Sequence, residues 1–202
     1  NQRYTDAAVA AAKKAATFDG VKVAPEVARK LKLLKVALVT PAPTGAVESK
    51  EVTTLLARLE GAYGKGKFTR KKKDGKEETL DLGELSNILV KSRDPKEMEE
   101  AWAGWHAIAK PMKKDFVRFV ELQNKGARQL GFKDTGALWR SKYDMAPDAF
   151  AKEVDRLWAQ VRPLYVSLHA YVRMKLHEKY GDAVPSNGPM PARSSGTAII
   201  AT

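Results

Sequence analysis

The spacing of apolar residues is the feature that most limits what this chain can fold into. They recur at three- and four-residue steps along most of the 202 residues, and the strict alternation of a half-buried strand is almost absent. Proline and glycine divide the pattern into segments of helical length. The sequence therefore predicts an all-α chain of several helices, without an internal repeat at a fixed period.

Helix ends are predicted from proline, glycine and capping residues. A first helix stops at Asp19-Gly20, and a second begins at Pro25, because proline suits the first helical turn. Further helices are expected at about 46–63, 83–91, 95–110, 116–130, 135–143 and 147–180. In the last helix, with a kink at Pro163, we expect a buried stripe made of Val154, Leu157, Trp158, Val161, Tyr165, Leu168, Val172 and Leu176.

A strongly basic segment near residues 65–81 interrupts the helical pattern. Asp74-Gly75 is a turn signal within it, so we predict a short β-hairpin or a loop. Residues 65–76 carry seven cations and one anion, and their net charge is half of the chain's net charge of +12. The cations are Lys65, Lys67, Arg70, Lys71, Lys72, Lys73 and Lys76. A solvated hairpin is favoured; the alternative is a stand-alone helical module that binds nucleic acid or anionic surfaces through this loop.

Composition excludes several classes of chemistry. The chain has no cysteine, which excludes disulfides, thiol catalysis and thiolate metal sites. No stretch approaches the roughly 20 apolar residues that span a bilayer, so we expect no transmembrane segment in this part. The first residue is Asn1, and no signal peptide is visible. These sequence features do not indicate a cellular compartment.

Histidines and tryptophans do not form a recognisable site in the sequence. His106, His169 and His177 are a thin supply of metal ligands, and a structural role is favoured for all three. His177 and Glu178 begin like a zincin helix, but the second histidine of His-Glu-x-x-His is absent. Core packing is expected for Trp102, Trp105, Trp139 and Trp158, and an aromatic ligand platform at the first two is the alternative.

Several longer strings closely resemble one family. In this order along the chain they are residues 55–68 (LLARLEGAYGKGKF), 92–95 (SRDP), 102–106 (WAGWH), 119–122 (FVEL), 136–143 (GALWRSKY) and 163–173 (PLYVSLHAYVR). Together they resemble the peptidyl-dipeptidase A family, the angiotensin-converting enzymes. The likeness runs from about residue 4 to residue 192.

The resemblance implies a largely helical, zincin-type zinc metallopeptidase that removes C-terminal dipeptides from peptide substrates in an internal channel. Zinc and chloride are the implied cofactors of the full-length protein, and no nucleic acid is expected as a partner. The family's zinc-binding and catalytic residues lie beyond this chain. We therefore expect residues 1–192 to be the N-terminal portion of such a domain: a truncated fragment, inactive alone, with no catalytic, cofactor-binding or metal-binding residue of its own.

One functional residue carries over by resemblance. Tyr143 matches a family tyrosine beside a chloride ion, whose partnering arginine would come from the absent part. His106 stands where vertebrate members have an arginine for another chloride, so that second site is not expected here. Thr69 and Thr79 lie near two cysteines that cross-link the corresponding loop in many animal members. These departures suggest a bacterial-type member, whose full-length parent would be exported or periplasmic.

The last ten residues depart from the family. Residues 188–192 (GPMPA) match it, but 193–196 (RSSG) replace the expected His-Leu-Leu-Gly. One codon choice for Arg-Ser-Ser-Gly, CGC TCC TCG GGC, reads Leu-Leu-Gly in another frame. The sequence thus predicts an abnormal, frame-shifted tail at 193–202.

Overall fold

A computed structural model describes residues 2–72 and 74–191, and it shows helices joined by short connections with one β-hairpin. The helices are α1 (Gln2–Ala16), α2 (Pro25–Val36), α3 (Ala46–Gly64), α4 (Leu82–Lys91), α5 (Pro95–Ala107), α6 (Lys113–Gln129), α7 (Thr135–Arg140) and α8 (Pro147–Tyr180). Strands β1 (Lys67–Lys71) and β2 (Glu77–Asp81) pair antiparallel. The predicted all-α class with a hairpin near 65–81 is confirmed, and the predicted tail at 193–202 lies outside the described residues.

Local capping chemistry explains where the helices begin. Pro25 and Pro95 occupy first-turn positions, where their missing N–H costs nothing. The Asp81 carboxylate accepts from the Glu84 N–H, while the Glu84 side chain accepts from the Asp81 N–H, both at 2.8 Å. Asp134 accepts from the Ala137 N–H at 2.7 Å and so caps α7. In the described part of the chain, no helix combines the length and the apolar character needed to cross a membrane.

The chain divides into two compact units. Unit 1 consists of Asn1–Glu60 and Lys113–Arg156, and unit 2 of Gly61–Met112 and Leu157–Thr202. Among the described residues of unit 1, buried side chains form two clusters, and the partly buried Phe132 packs against both. The first contains Val9, Ala12, Leu38 and Leu130, and the second contains Val36, Ala127 and Leu138.

Close helix-to-loop packing in unit 1 depends on a glycine. Gly126 on α6 lies against the backbone of Pro41 and Ala42, and a Cβ atom there would approach their carbonyl groups to 2.7–2.8 Å. Pro41 and Pro43 are fully buried. The Thr44 N–H donates to the side-chain oxygen of Gln129 on the same helix at 2.8 Å. The segment between α2 and α3 is therefore fixed tightly to α6.

In unit 2 the hairpin packs on α4 and α5. Leu80, Leu85 and Ala101 are buried at its centre, and Phe68 lies against them. The Phe68 ring also sits directly over Gly104, where an added Cβ would meet ring carbons at 2.5–2.7 Å. Glycine at this position lets the β1 side chain approach the helix backbone.

The predicted burial of α8 is wrong for most of its stripe. Leu176 is buried, but the stripe residues from Val154 to Leu168 are about half exposed or more. Their three- and four-residue spacing is helical, as predicted, yet no described element covers them. The error arises because a sequence pattern shows which face is apolar and does not show what lies against it.

Candidate functional site

Tyr143, the residue with a role implied by the resemblance, lines an open groove in unit 1. It lies three residues beyond α7, and its ring stacks on Phe150 at a centroid distance of 4.1 Å and an angle of 15°. Trp139 forms another wall, and its indole N–H donates to the Val39 carbonyl at 2.8 Å. The Tyr143 side chain remains accessible, since 56% of the residue is exposed.

Positive charge accompanies the aromatic rings of this groove. Arg140 and Lys142 both line it, and the Nε of Arg140 is buried without a hydrogen-bond partner among the described residues. Asp144 is paired elsewhere, with Arg29 at 2.9 Å and Lys32 at 3.5 Å. The hydrogen bond from Arg29 lowers the pKa of the Asp144 carboxyl. The groove therefore offers an aromatic surface and cationic groups to a small anion.

The basic segment forms a tight hairpin. Lys72 N–H donates to the Lys76 carbonyl at 2.8 Å, and Gly75 N–H donates to the Lys72 carbonyl at 2.9 Å. Gly75 has a φ of +81°, a conformation that glycine adopts without strain. The predicted Asp74-Gly75 turn is thereby confirmed.

The Arg70 side chain is not solvated, in contrast to the prediction of a solvated hairpin. Only 11% of its side chain is exposed, and its guanidinium contacts Glu78 at 3.0 Å, Glu97 at 3.2 Å and Glu100 at 3.4 Å. Desolvation opposes the charge, but hydrogen bonds to Glu78 and Glu97 outweigh it and raise the pKa of Arg70. Sequence reasoning missed this anchor; the available signal was the pair of glutamates three residues apart on α5.

The remaining cations of the hairpin differ in their surroundings. Lys72 lies 3.0 Å from Glu78, and Lys76 lies 3.7 Å from Asp74, while 82% of the Lys76 side chain is exposed. Hydrogen bonds from Lys72 and then Arg70 lower the pKa of Glu78. Part of the positive charge is thus neutralised within the hairpin, which reduces its attraction for a phosphate backbone.

Each histidine contacts a residue that is close to it in the sequence. The Nδ1 of His106 hydrogen-bonds the Trp102 carbonyl at 2.8 Å, and its ring lies 4.1 Å from that of Trp102. His169 lies 6.0 Å from the Tyr165 ring, and the Nδ1 of His177 hydrogen-bonds the Val184 carbonyl at 2.8 Å. Among residues 2–72 and 74–191, no group of three or more histidine, aspartate or glutamate side chains is arranged to hold a metal ion.

The tryptophans divide between core and surface. Trp105 packs on the core of unit 2, as predicted. Trp102, Trp139 and Trp158 are 39–48% exposed, so the prediction of core packing is wrong for them in this chain. Trp102 and Trp105 both contact the His106 ring, at centroid distances of 4.1 and 5.3 Å.

Comparison with known proteins agrees with the family that the sequence resembles. A family model described as angiotensin-converting enzyme matches residues 1–198. The chain is 39% identical to the angiotensin-converting enzyme of Oryctolagus cuniculus over 158 residues, which are 77% of this chain and 12% of that protein. It is also 39% identical to the enzyme of the leech Theromyzon tessulatum over 151 residues, 73% of this chain and 24% of that protein.

This chain belongs to the angiotensin-converting enzyme family of peptidases. It spans about an eighth of the length of the Oryctolagus cuniculus and Bos taurus enzymes. These relatives are animal proteins. Bacterial type therefore stays a prediction, as does the role of Tyr143.

Proposed function

We propose that this chain is the N-terminal portion of a zinc peptidyl-dipeptidase domain, which releases C-terminal dipeptides from peptide substrates. The observation that carries the proposal is the match of residues 1–198 to the angiotensin-converting enzyme family. The abnormal tail and the bacterial, exported parent belong to the same proposal and rest on the sequence alone.

The residues of this chain do not fit the zinc ion that the family implies. The 202-residue sequence contains no His-Glu-x-x-His, and the described residues supply no alternative cluster of ligands. When bound by a complete domain, zinc supplies a Lewis acid and activates water. The chain's own contribution is a scaffold, so we expect the chain to be inactive by itself.

Tyr143 contributes the second part of the proposal, a site for chloride completed by an arginine from outside this chain. Its support here is the accessible Tyr143 ring, held by Phe150 beside two cationic side chains. In the proposed site the Tyr143 hydroxyl would donate a hydrogen bond to chloride, and a cation would supply the opposite charge. Tyr143→Phe in a complete enzyme is expected to raise the chloride concentration needed for half-maximal activity, whereas Tyr63→Phe, at another exposed tyrosine, leaves it unchanged.

Peptidase activity tests the main proposal. A blocked tripeptide is incubated, with zinc and chloride, with the 202-residue chain and with a version extended in the restored reading frame. Only the extended version is expected to release a dipeptide, and a chelator should abolish that release. Chelator-sensitive hydrolysis by the 202-residue chain itself would contradict the assignment of a non-catalytic portion.

Anion binding by the hairpin is the rival function, and the structure offers it limited support. Lys76 is largely exposed, but Arg70 and Lys72 are paired with glutamates. Binding to duplex DNA that falls steeply with salt and is lost on replacing Lys71 and Lys76 with glutamine would favour the rival. We expect weak binding that these substitutions change little.

A further inference from the structure

The exposed part of α8 in unit 2 has the pattern of a buried helix. Leu157, Val161, Leu164, Leu168 and Tyr171 follow one another at alternating steps of four and three residues, and each is 46–71% exposed. This spacing places them on one face. A face of this kind normally lies against a core, because exposing contiguous apolar surface in water is unfavourable.

The apolar surface is too wide for a single helix to cover. Trp158 and Tyr165 form a second row beside the first, with their rings 5.3 Å apart, and both are about half exposed. A two-stranded coiled coil buries a narrow seam, whereas two adjacent rows require a partner that covers both of them.

The end of the helix that follows this surface is already held by its own chain. Leu176 and Val184 are buried, and the His177 ring hydrogen-bonds the Val184 carbonyl. The Arg173 guanidinium donates to the carbonyls of Pro185 at 2.8 Å and Gly188 at 2.6 Å. The contrast between a covered end and an uncovered middle is therefore a property of one helix within one unit.

We infer that residues 157–171 of α8 form a docking surface for the remaining part of an angiotensin-converting enzyme domain, and that this part binds even when it is supplied as a separate polypeptide. The inference rests on the proposed function. The length of the relatives indicates the occupant, because the match covers 24% of the leech enzyme and most of that protein lies outside it. A partner of that size is large enough to cover both rows.

Titration with a separate polypeptide tests this inference. The 202-residue chain carries a fluorescent label, and the part of the leech enzyme that follows the matched stretch is added with zinc present. We expect saturable binding by fluorescence anisotropy. Val161→Asp and Leu168→Asp should each weaken it at least about 10-fold, because each places a carboxylate in an apolar interface.

Two alanines on the opposite side of the same helix provide matched controls. Ala159→Asp and Ala170→Asp introduce the same charge at exposed positions away from the two apolar rows. They should weaken binding less than about 3-fold, and all four variants should keep the helical content of the unmodified chain by circular dichroism. Equal losses for both pairs would overturn the inference.

A single-chain fusion separates this inference from the proposed function. It joins residues 1–191 to the same leech segment, and its hydrolysis of a blocked tripeptide is measured. If the fusion is active but the separate polypeptides do not bind, the docking inference fails while the proposed function stands. If the fusion is inactive and nothing binds, both fail. Dimers of the 202-residue chain that Val161→Asp dissociates would identify a second copy as the occupant and overturn the inference.

Discussion

Replacing Gly126 with alanine adds one methyl group opposite a stretch of backbone that is fixed on both sides. The new Cβ would lie 2.7 Å from the carbonyl carbon of Ala42 and 2.8 Å from the carbonyl group of Pro41. Ordinary contact begins at 3.4 Å, so the two backbones must separate. Movement is opposed by buried Pro41 and Pro43 and by the hydrogen bond from Thr44 to Gln129.

The expected net effect follows from two opposing contributions. Forcing an extra methyl into packed structure costs about 1–3 kcal/mol. Alanine is favoured over glycine within a helix by about 0.5–1 kcal/mol, which offsets part of that cost. We therefore expect the free energy of opening α6 to fall by about 1–2 kcal/mol, equivalent to roughly 5- to 30-fold faster exchange of its protected amides.

Hydrogen exchange followed by mass spectrometry measures this effect segment by segment, so it does not require one cooperative transition. Gly61→Ala in α3 is the matched control, because nothing lies within 4 Å of its added Cβ. That variant should exchange at the same rate or more slowly. Unchanged or slower exchange of α6 in Gly126→Ala would show that the contact with the Pro41 backbone does not limit packing.

Three further predictions concern the hairpin and the helix that follows it. Asp81→Ala removes a capping carboxylate and should destabilise α4 by about 1 kcal/mol, seen as faster exchange of its first-turn amides, whereas an unchanged rate would exclude a capping contribution. Lys72 and Arg70 lower the pKa of Glu78 in the folded protein below its ordinary value of 4.5. The ionised Glu78 carboxylate therefore stabilises the fold fully above pH 4.5, and this stabilisation is lost as the pH falls through the lower pKa of the folded state. Carbon-detected NMR should find its midpoint below 4.5, and Glu78→Gln should remove that acid-dependent component. The Oγ1 atoms of Thr69 and Thr79 face each other across the strands at 3.0 Å, so a double cysteine variant should oxidise spontaneously; two persistently free thiols in a thiol titration would contradict the register.

The helix boundaries and the hairpin turn were predictable because their causes are local. Pro95 cannot donate a backbone hydrogen bond, and Asp134 caps a helix using an amide three residues away. Gly75 permits the turn through its own positive φ. The resemblance also drew attention to Tyr143, but the sequence did not show its stacking on Phe150, since six residues of turn and helix separate them.

By itself, the sequence determined the helical class, the ends of the elements, the position of the hairpin and membership in a peptidase family. Each of these depends on residues close together in the chain or on the order of strings along it. Tertiary structure alone decided that Arg70 is held by three glutamates and that Gly126 accommodates a distant backbone. It also decided that the apolar surface of α8 at 157–171 remains open. Burial and ion pairing depend on which residues from distant parts of the chain come into contact. Local periodicity does not determine those contacts.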